Sequence, residues 1–271
     1  MQCTDRPTFA LYKQPIFSFA LILLVLFYAP SIHAQDRQRD STFFFRNVLS
    51  VNHNGFSLIP SFSLGRPALV YEPAIGNRRM SFEPQFRYAL DGKPWSFVFI
   101  YRYKLIHRNK FSLTAGAHVP ALVFATQTAP HNGSATEALI ARRFLAAELL
   151  PSYAVTDNVS VGMYLLRGHG FDGGGTTDSH YAGLRGTFKN IPLGNRLLLR
   201  FDPQLYWLKT DDTSGVYFTS TQHLAVRAFP LSLSSIVNKA IQTRIPGKDF
   251  DWNVSLVYTF GGDYVRKGLK R

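Results

Sequence analysis

The most constraining feature of the chain is a strict two-residue alternation over residues 250–260. Every even position is apolar or aromatic, from Phe250 to Phe260, and most odd positions are polar. Successive residues of a β-strand point to opposite faces, so this segment predicts a strand with one apolar and one polar face. The polar positions are Asp251, Asn253, Ser255 and Thr259.

The same alternation recurs along the chain. It is clearest over residues 80–88, 95–105, 111–119 and 197–207, and Trp95 opens the apolar row of the second of these. No helix would separate the side chains into two such faces. Weaker strands are predicted near residues 43–51, 56–64, 138–155, 158–167, 180–189, 216–228 and 233–243.

Turn residues separate these strands, as at Asp91-Gly92-Lys93-Pro94 and Thr156-Asp157-Asn158. The count is about twelve strands, and an even number brings both ends of the chain to one side of a barrel. If the last strand descends to the periplasm, the short turns fall on the periplasmic side of the membrane and the longer loops fall on the outer side. Residues 65–78 fit this arrangement poorly, because they form a long connection on the periplasmic side. A barrel of ten strands, without the first or the eleventh strand, therefore remains an alternative.

The first 34 residues have the pattern of a secretory leader. Arg6 and Lys13 give a basic start, residues 16–28 form an apolar core, and Ala34 ends a plausible cleavage site. The apolar run is shorter than the roughly 20 residues that span a bilayer, which argues against a transmembrane anchor. The sequence predicts a signal peptide over 1–34 and one exported domain over 35–271. Cys3 is the only cysteine, so that domain has no disulfide.

Apolar outer faces, polar inner faces and a leader together predict an all-β, closed antiparallel transmembrane β-barrel in a bacterial outer membrane. The formal net charge is +13, which raises the question of nucleic acid. The basic residues are scattered among strands and connections without a nucleic-acid-binding motif. Anionic lipid head groups or a basic lumen explain the excess better, and no nucleic-acid partner is expected.

Two stretches carry a resemblance to a known family. Residues 91–104 and 252–260 resemble outer-membrane β-barrel proteins of unassigned function in Bacteroidota. The second also resembles the signal by which the barrel-assembly machinery recognises a last strand, with Ser where Gly is usual and with residues 261–271 following it. The resemblance implies fold and location, and it maps the assembly signal onto Asn253, Ser255, Tyr258 and Phe260.

Function is expected at the inward positions, because outward ones contact only lipid. A basic lumen would favour the passage of anionic or polar solutes. The pattern favours the plainer interpretation, in which arginines and carboxylates pair across strands and fill a narrow barrel. The candidate lumen residues are Glu83, Arg87, Arg102, Lys104, His118, Glu148, Arg185, Arg200, Asp202, His223, Arg227 and Asp251.

Lipid hydrolysis is an alternative that needs a serine beside an oriented histidine. The resemblance in size and barrel form to outer-membrane phospholipases and lipid A deacylases suggests this chemistry, yet no acidic orienting partner can be assigned. Polar loop residues are the preferred explanation. The candidates are His53 with Ser57 and Asn54, and His223 with Ser220 or Thr221.

No cofactor or metal is expected. His118, His180 and His223 lie on separate strands, and the chain has no short-spaced His or Cys pair. Gly173-Gly174-Gly175 lacks the Lys-Ser/Thr of a phosphate loop and is interpreted as an outer loop. Most of the Trp and Tyr residues in the alternating strands fall on outward positions, where such rings anchor a barrel at the membrane interfaces.

The sequence therefore predicts an outer-membrane barrel that passes small polar or anionic solutes, or has a structural role in the envelope. Its expected partners are outer-membrane lipids and the barrel-assembly machinery. A soluble secreted β-sandwich remains the third alternative.

Overall fold

A computed structural model of the protein describes residues 42–131 and 134–265. The leader predicted for residues 1–34 lies outside the described residues. Within them, the chain forms thirteen strands in one antiparallel sheet. The strands are β1 (Thr42–Asn52), β2 (Ala68–Gly76), β3 (Met80–Phe82), β4 (Gln85–Ala89), β5 (Pro94–Arg108), β6 (Phe111–His131), β7 (Ser134–Ala154), β8 (Val159–Gly170), β9 (Asp178–Leu193), β10 (Leu197–Thr210), β11 (Thr213–Val226), β12 (Leu231–Thr243) and β13 (Phe250–Val265).

The sheet closes on itself. β1 pairs with β13 from Thr42↔Val265 to Asn52↔Ser255, and its other edge pairs with β2. β3 and β4 share one position between β2 and β5, so the ring has twelve positions. The prediction of a closed antiparallel barrel of about twelve strands is confirmed, and the ten-strand count and the two-sheet sandwich are wrong.

The predicted position of the second strand needs correction, and the predicted third strand, residues 80–88, is divided into β3 and β4. Residues 56–64 form a loop with a 3-10 turn at Pro60–Phe62 and no strand. The second strand is β2, which lies within residues 65–78, where the sequence predicts a connection. Pro73 lies within β2. It lies opposite the gap between β3 and β4, where β2 has no partner on that side. A residue without an N–H is tolerated there.

This correction removes the poor fit of residues 65–78. The long connection now spans residues 53–67, and it lies at the end of the barrel opposite Thr42 and Val265. That end, here called the loop end, also carries residues 90–93, 171–177 and 244–249. The terminal end, near Thr42 and Val265, has only short turns such as 77–79 and 109–110.

The exterior is apolar and has an aromatic girdle near each end. Alternate residues of β13 are exposed from Phe250 to Tyr258, as the sequence predicts, and Asn253 and Ser255 are buried on the inner face. Such girdles are typical of barrels that span a membrane. The loop-end girdle contains Trp207, Phe218, Phe250 and Trp252, and the terminal-end girdle contains Phe43, Phe45, Tyr101, Tyr103, Tyr153, Tyr258 and Phe260.

Trp95 is the exception to the predicted outer row. It is 4% exposed and lies in the interior beside Ala68 and Val70. The pairing of β4 with β5 steps from Arg87↔Ser96 to Tyr88↔Pro94, which leaves Trp95 as the extra residue of a β-bulge. A bulge re-aims its side chain, so the parity of the flanking residues does not apply to Trp95. No helix within the described ranges is long and apolar enough to cross a membrane.

Candidate functional site

The connection of residues 53–67, here called the interior loop, is a compact structure with a closed neck. The Gly55 amide donates to the Arg66 carbonyl at 2.8 Å, and the Leu64 amide donates to the Gly55 carbonyl at 2.7 Å. Across the loop, the Ser63 hydroxyl accepts from the Ser57 amide at 2.9 Å. Close ends and internal hydrogen bonds are typical of Ω-loops, which are compact because their own side chains pack together.

The interior loop enters the barrel and contacts opposite parts of its wall. Trp95 donates its indole N–H to the Phe62 carbonyl at 2.8 Å, and the Phe62 ring lies edge-on to Phe144 of β7, 4.9 Å between centroids. On the β10 wall, the Tyr206 hydroxyl lies 3.3 Å from the Leu58 carbonyl oxygen. The loop therefore crosses the lumen at the loop end, and the inward Trp95 is one of its anchors.

The entry to the interior loop is fixed by β13. The Asn54 amide donates to Asn253 Oδ1 at 2.9 Å, and its side-chain Nδ2 donates to Asp251 Oδ1 at 2.8 Å. Asn253 and Ser255 donate to Asn52 Oδ1 at 2.9 and 2.6 Å. Asp251 is thus an inward residue, as predicted, whose carboxylate holds the loop in place.

A cavity of about 430 Å³ lies beside the interior loop within the barrel. Apolar side chains of the loop, including Phe56 and Ile59, form one part of its lining, and inward residues of the barrel wall form the rest. Three arginines and a histidine also line it, namely Arg87, Arg102, Arg185 and His118.

Arg102 is the centre of a charge network. Its Nε donates to Glu148 Oε1 at 2.5 Å, and a second nitrogen pairs with Glu83. His118 Nε2 lies 3.1 Å from the other Glu148 oxygen, and the Glu148 side chain has no solvent exposure. Ser81 donates to Glu83 at 2.6 Å. These residues pair across β3, β5, β6 and β7, as the plainer interpretation of the sequence predicts.

Arg87 and Arg185 differ from Arg102, because among the described residues no carboxylate lies within 4.0 Å of either. Arg87 donates to the amide oxygen of Gln85 at 2.5 Å and lies over the Trp95 ring, 5.3 Å from its centroid. Gln85 in turn donates to Glu72 at 2.8 Å, so the nearest carboxylate to Arg87 reaches it only through that amide. Arg185 faces the cavity from β9. Neither arginine has a carboxylate in direct contact in the described part of the protein, and an anion would supply one.

The remaining candidate lumen residues lie nearer the terminal end, with one correction. Lys104 follows Arg102 on the inner face of β5, and Arg200 donates to Asp202 at 2.7 Å opposite His223 of β11. Arg227 was predicted to face the lumen, but β11 ends at Val226. Arg227 is exposed in the turn that follows, because the chain has already left the sheet at that point.

Four interior tyrosines were not identified from the sequence. Their rings follow one another across four adjacent strands at centroid distances of 5.4, 4.8 and 5.0 Å. The Tyr206 hydroxyl donates to Asn238 Oδ1 at 2.9 Å. Their inward positions in the two-residue alternation mark them in the sequence, but only the strand register brings the rings together, with three of them stacked and Tyr164 tilted against Tyr181. The four are Tyr164, Tyr181, Tyr206 and Tyr217.

The serine and histidine pairs considered for hydrolysis do not meet. His53 stacks on Trp252 at 4.6 Å, whereas the Ser57 hydroxyl accepts from the Ile59 amide. Ser220 points to the exterior and accepts from Gln222 at 2.5 Å, so it faces away from His223. In the described part of the chain, no group of three or more His, Cys, Asp or Glu residues could hold a metal ion.

One ion pair at the loop end makes the structure sensitive to acid. Asp172 accepts from Arg143 Nη2 at 2.7 Å and from the Arg143 backbone amide at 2.6 Å. These hydrogen bonds lower the pKa of Asp172 from 3.8 to about 2, and the bond from the guanidinium makes the largest contribution. A lowered folded-state pKa means that the anchor stabilises the loop above about pH 4 and is lost as the pH falls through about 2.

We expect pepsin to cleave the loop of residues 171–177, next to Phe171, slowly at about pH 3 and faster at about pH 1.5. In the Asp172→Asn variant the loop should be cleaved at similar rates at both pH values, after each rate is corrected for the activity of pepsin on a reference peptide at that pH. An unmodified protein that is cleaved equally at both pH values would show that Asp172 does not anchor the loop.

No protein-family model and no curated protein matches the chain. Solved structures of outer-membrane β-barrels do resemble it in fold. An outer membrane channel from Pseudomonas putida F1 is 10% identical, with a TM-score of 0.49, over 84% of this chain and 100% of that one. The KdgM porin, solved in complex with disordered oligogalacturonate, is 10% identical, with a TM-score of 0.48, over 81% and 99%.

The NanC porin is 11% identical, with a TM-score of 0.43, over 82% of this chain and 100% of its own. At such identities and scores the likeness carries no argument about solutes or mechanism. The assignment of the fold depends on the strand pairing of this chain itself.

Proposed function

We propose that the protein is an integral barrel of a bacterial outer membrane through which small polar or anionic solutes pass, narrowed at the loop end by the interior loop. The observation that carries the proposal is a closed barrel with an apolar exterior and a cavity lined by Arg87 and Arg185, which have no carboxylate partner among the described residues. Unpaired interior cations raise the local concentration of anions and lower that of cations.

The placement in the membrane has several supports. The exterior presents apolar side chains between two aromatic girdles, and a closed sheet leaves no unpaired edge in the hydrocarbon. The predicted leader and the resemblance of residues 91–104 and 252–260 to Bacteroidota barrels favour the same location. Insertion by the barrel-assembly machinery through Asn253, Ser255, Tyr258 and Phe260 is part of the proposal.

A structural role in the envelope is the second candidate. The observation that favours it is the position of the interior loop, which is hydrogen-bonded to Trp95 and contacts Tyr206. The loop therefore fills part of the lumen. The two candidates differ in a single property, which is whether a water-filled path runs through the barrel.

The test is the current through the purified full chain in planar lipid bilayers. Under a salt gradient, we expect a conductance with a reversal potential that favours chloride over potassium. The double variant Arg87→Gln, Arg185→Gln should shift the reversal potential towards potassium, because it removes two interior cations. Lys209→Gln is the matched control, since Lys209 is an exposed cation on the exterior of β10.

A protein that inserts but carries no current would remove the proposal of passage and leave the structural role. Fatty-acid release from phospholipid vesicles would instead revive the hydrolase alternative.

A further inference from the structure

The cavity is large enough for an organic molecule. Its volume of about 430 Å³ lies within the range of roughly 300–1,000 Å³ that small-molecule sites occupy. A bare inorganic ion would fill only a small part of that space.

The charges of the cavity select an anion. Arg185 of β9 and Arg87 of β4 lie five strand positions apart in a ring of twelve, which places them on nearly opposite walls. Both arginines are partly buried, where a cation gains more from an anionic partner than it does in water, and a guanidinium matches a carboxylate with two parallel hydrogen bonds. Glu83 and Glu148 offset Arg102, so that pair of carboxylates is already engaged.

The rest of the lining selects a ligand with an apolar body. The interior loop presents Phe56, Ile59 and Phe62 to the cavity, and the wall presents residues such as Ile100 and Leu166. Apolar surface gains free energy when it leaves water, so a ligand that covers these side chains binds more tightly than a fully hydrated anion.

We propose that the cavity binds a small organic carboxylate with an apolar body, its carboxylate held by Arg185 and Arg87 and its body against the interior loop. The inference rests on the proposed function, because it assumes that solutes passing through the barrel enter this cavity. It adds the chemical class of the solute that the cavity binds.

The experiment is calorimetric titration of the purified full chain, folded in a non-ionic detergent, with phenylacetate as the probe. Acetate has the charge without the ring, phenylacetamide has the ring without the charge, and inorganic phosphate is an anion without an apolar body. We expect phenylacetate to bind with a dissociation constant about tenfold or more below those of the other three.

Arg185→Gln should raise the dissociation constant of phenylacetate by about tenfold or more, because a charged hydrogen bond is lost. Arg185→Lys keeps the charge without the two-pronged geometry and should give an intermediate value. Lys209→Gln, on the exterior, should bind as the unmodified protein does. Unchanged heat-dependent migration of each variant on electrophoresis checks that the barrel is folded.

Equal affinity for phenylacetate and phosphate or acetate would overturn the apolar part of the proposal. Unchanged binding in the folded Arg87→Gln, Arg185→Gln variant would overturn the assignment of the arginines. Chloride-selective current without phenylacetate binding would refute this inference while the proposed passage stands. Binding without any current would refute the passage and keep the cavity as a binding site.

Discussion

Replacing residues 56–64 with a short Asn-Gly linker is expected to raise the single-channel conductance several-fold. The interior loop crosses the lumen between Trp95 and Tyr206, so its removal opens the part of the loop end that it now fills. The closure is feasible because the Gly55 amide already donates to the Arg66 carbonyl, and Asn52 pairs with Ala68. A type I′ turn of Asn-Gly joins strands at that separation.

A matched control removes chain from the loop end outside the lumen. β6 pairs with β5 only as far as Val123, and β7 pairs with β8 only from Phe144, so the two strands continue as a projecting hairpin. Replacing residues 128–137 of this hairpin by the same linker should leave the conductance close to that of the unmodified protein. Equal conductance of the two deletion variants would show that the interior loop does not limit the flow.

Substituting Glu148 by Gln should lower the free energy of unfolding by about 3 kcal/mol, because Arg102 loses the fully buried one of its two carboxylate partners and keeps only Glu83. The carboxylate has no solvent exposure and accepts from Arg102 and contacts His118. An amide of the same size cannot balance the guanidinium, and its NH₂ group meets other donors. Urea unfolding in lipid vesicles, followed by tryptophan fluorescence, measures the change.

Asp263→Asn is the control for this measurement. Its carboxylate pairs with Arg46 at 3.3 Å, but both side chains are about 60% exposed, and such pairs contribute about 1 kcal/mol or less. Stabilities of the Glu148→Gln and Asp263→Asn variants that agree within error would show that the interior network does not stabilise the barrel.

A second variant separates charge from packing in the same network. Gly116 pairs with Glu148 across β6 and β7, and a Cβ at this glycine would lie 2.8 Å from Glu148 Cγ. Gly116→Ala should therefore displace the carboxylate with its charge intact. A loss of stability comparable to that of Glu148→Gln would indicate that the position of Glu148, as well as its charge, holds Arg102.

Much of the barrel follows from local pattern. The alternation in β13 and β10 places Trp252 and Trp207 outside and Asn253 and Gln204 inside, as the structure does. A two-residue period is a property of each strand alone, and it needs no knowledge of the neighbours. The same holds for the inward positions of Arg102, His118 and Glu148, each of which agrees with the alternation predicted around it.

The failures occur where the backbone departs from that period. Phe56 to Leu64 alternates like a strand, yet Pro60 starts a 3-10 turn and the segment folds into the lumen. Trp95 turns inward because a bulge adds one residue to β5. Arg227 leaves the sheet one residue after β11 ends. The first two depend on contacts between distant segments, such as that of Trp95 with Phe62.

The sequence by itself determined the faces of the strands and their approximate number, because alternation is written residue by residue. Only the tertiary structure decided which charges meet. Glu83 and Glu148 reach Arg102, whereas no described carboxylate reaches Arg87 or Arg185. Pairing across strands depends on register and on closure of the ring, which bring together residues that are far apart in the chain.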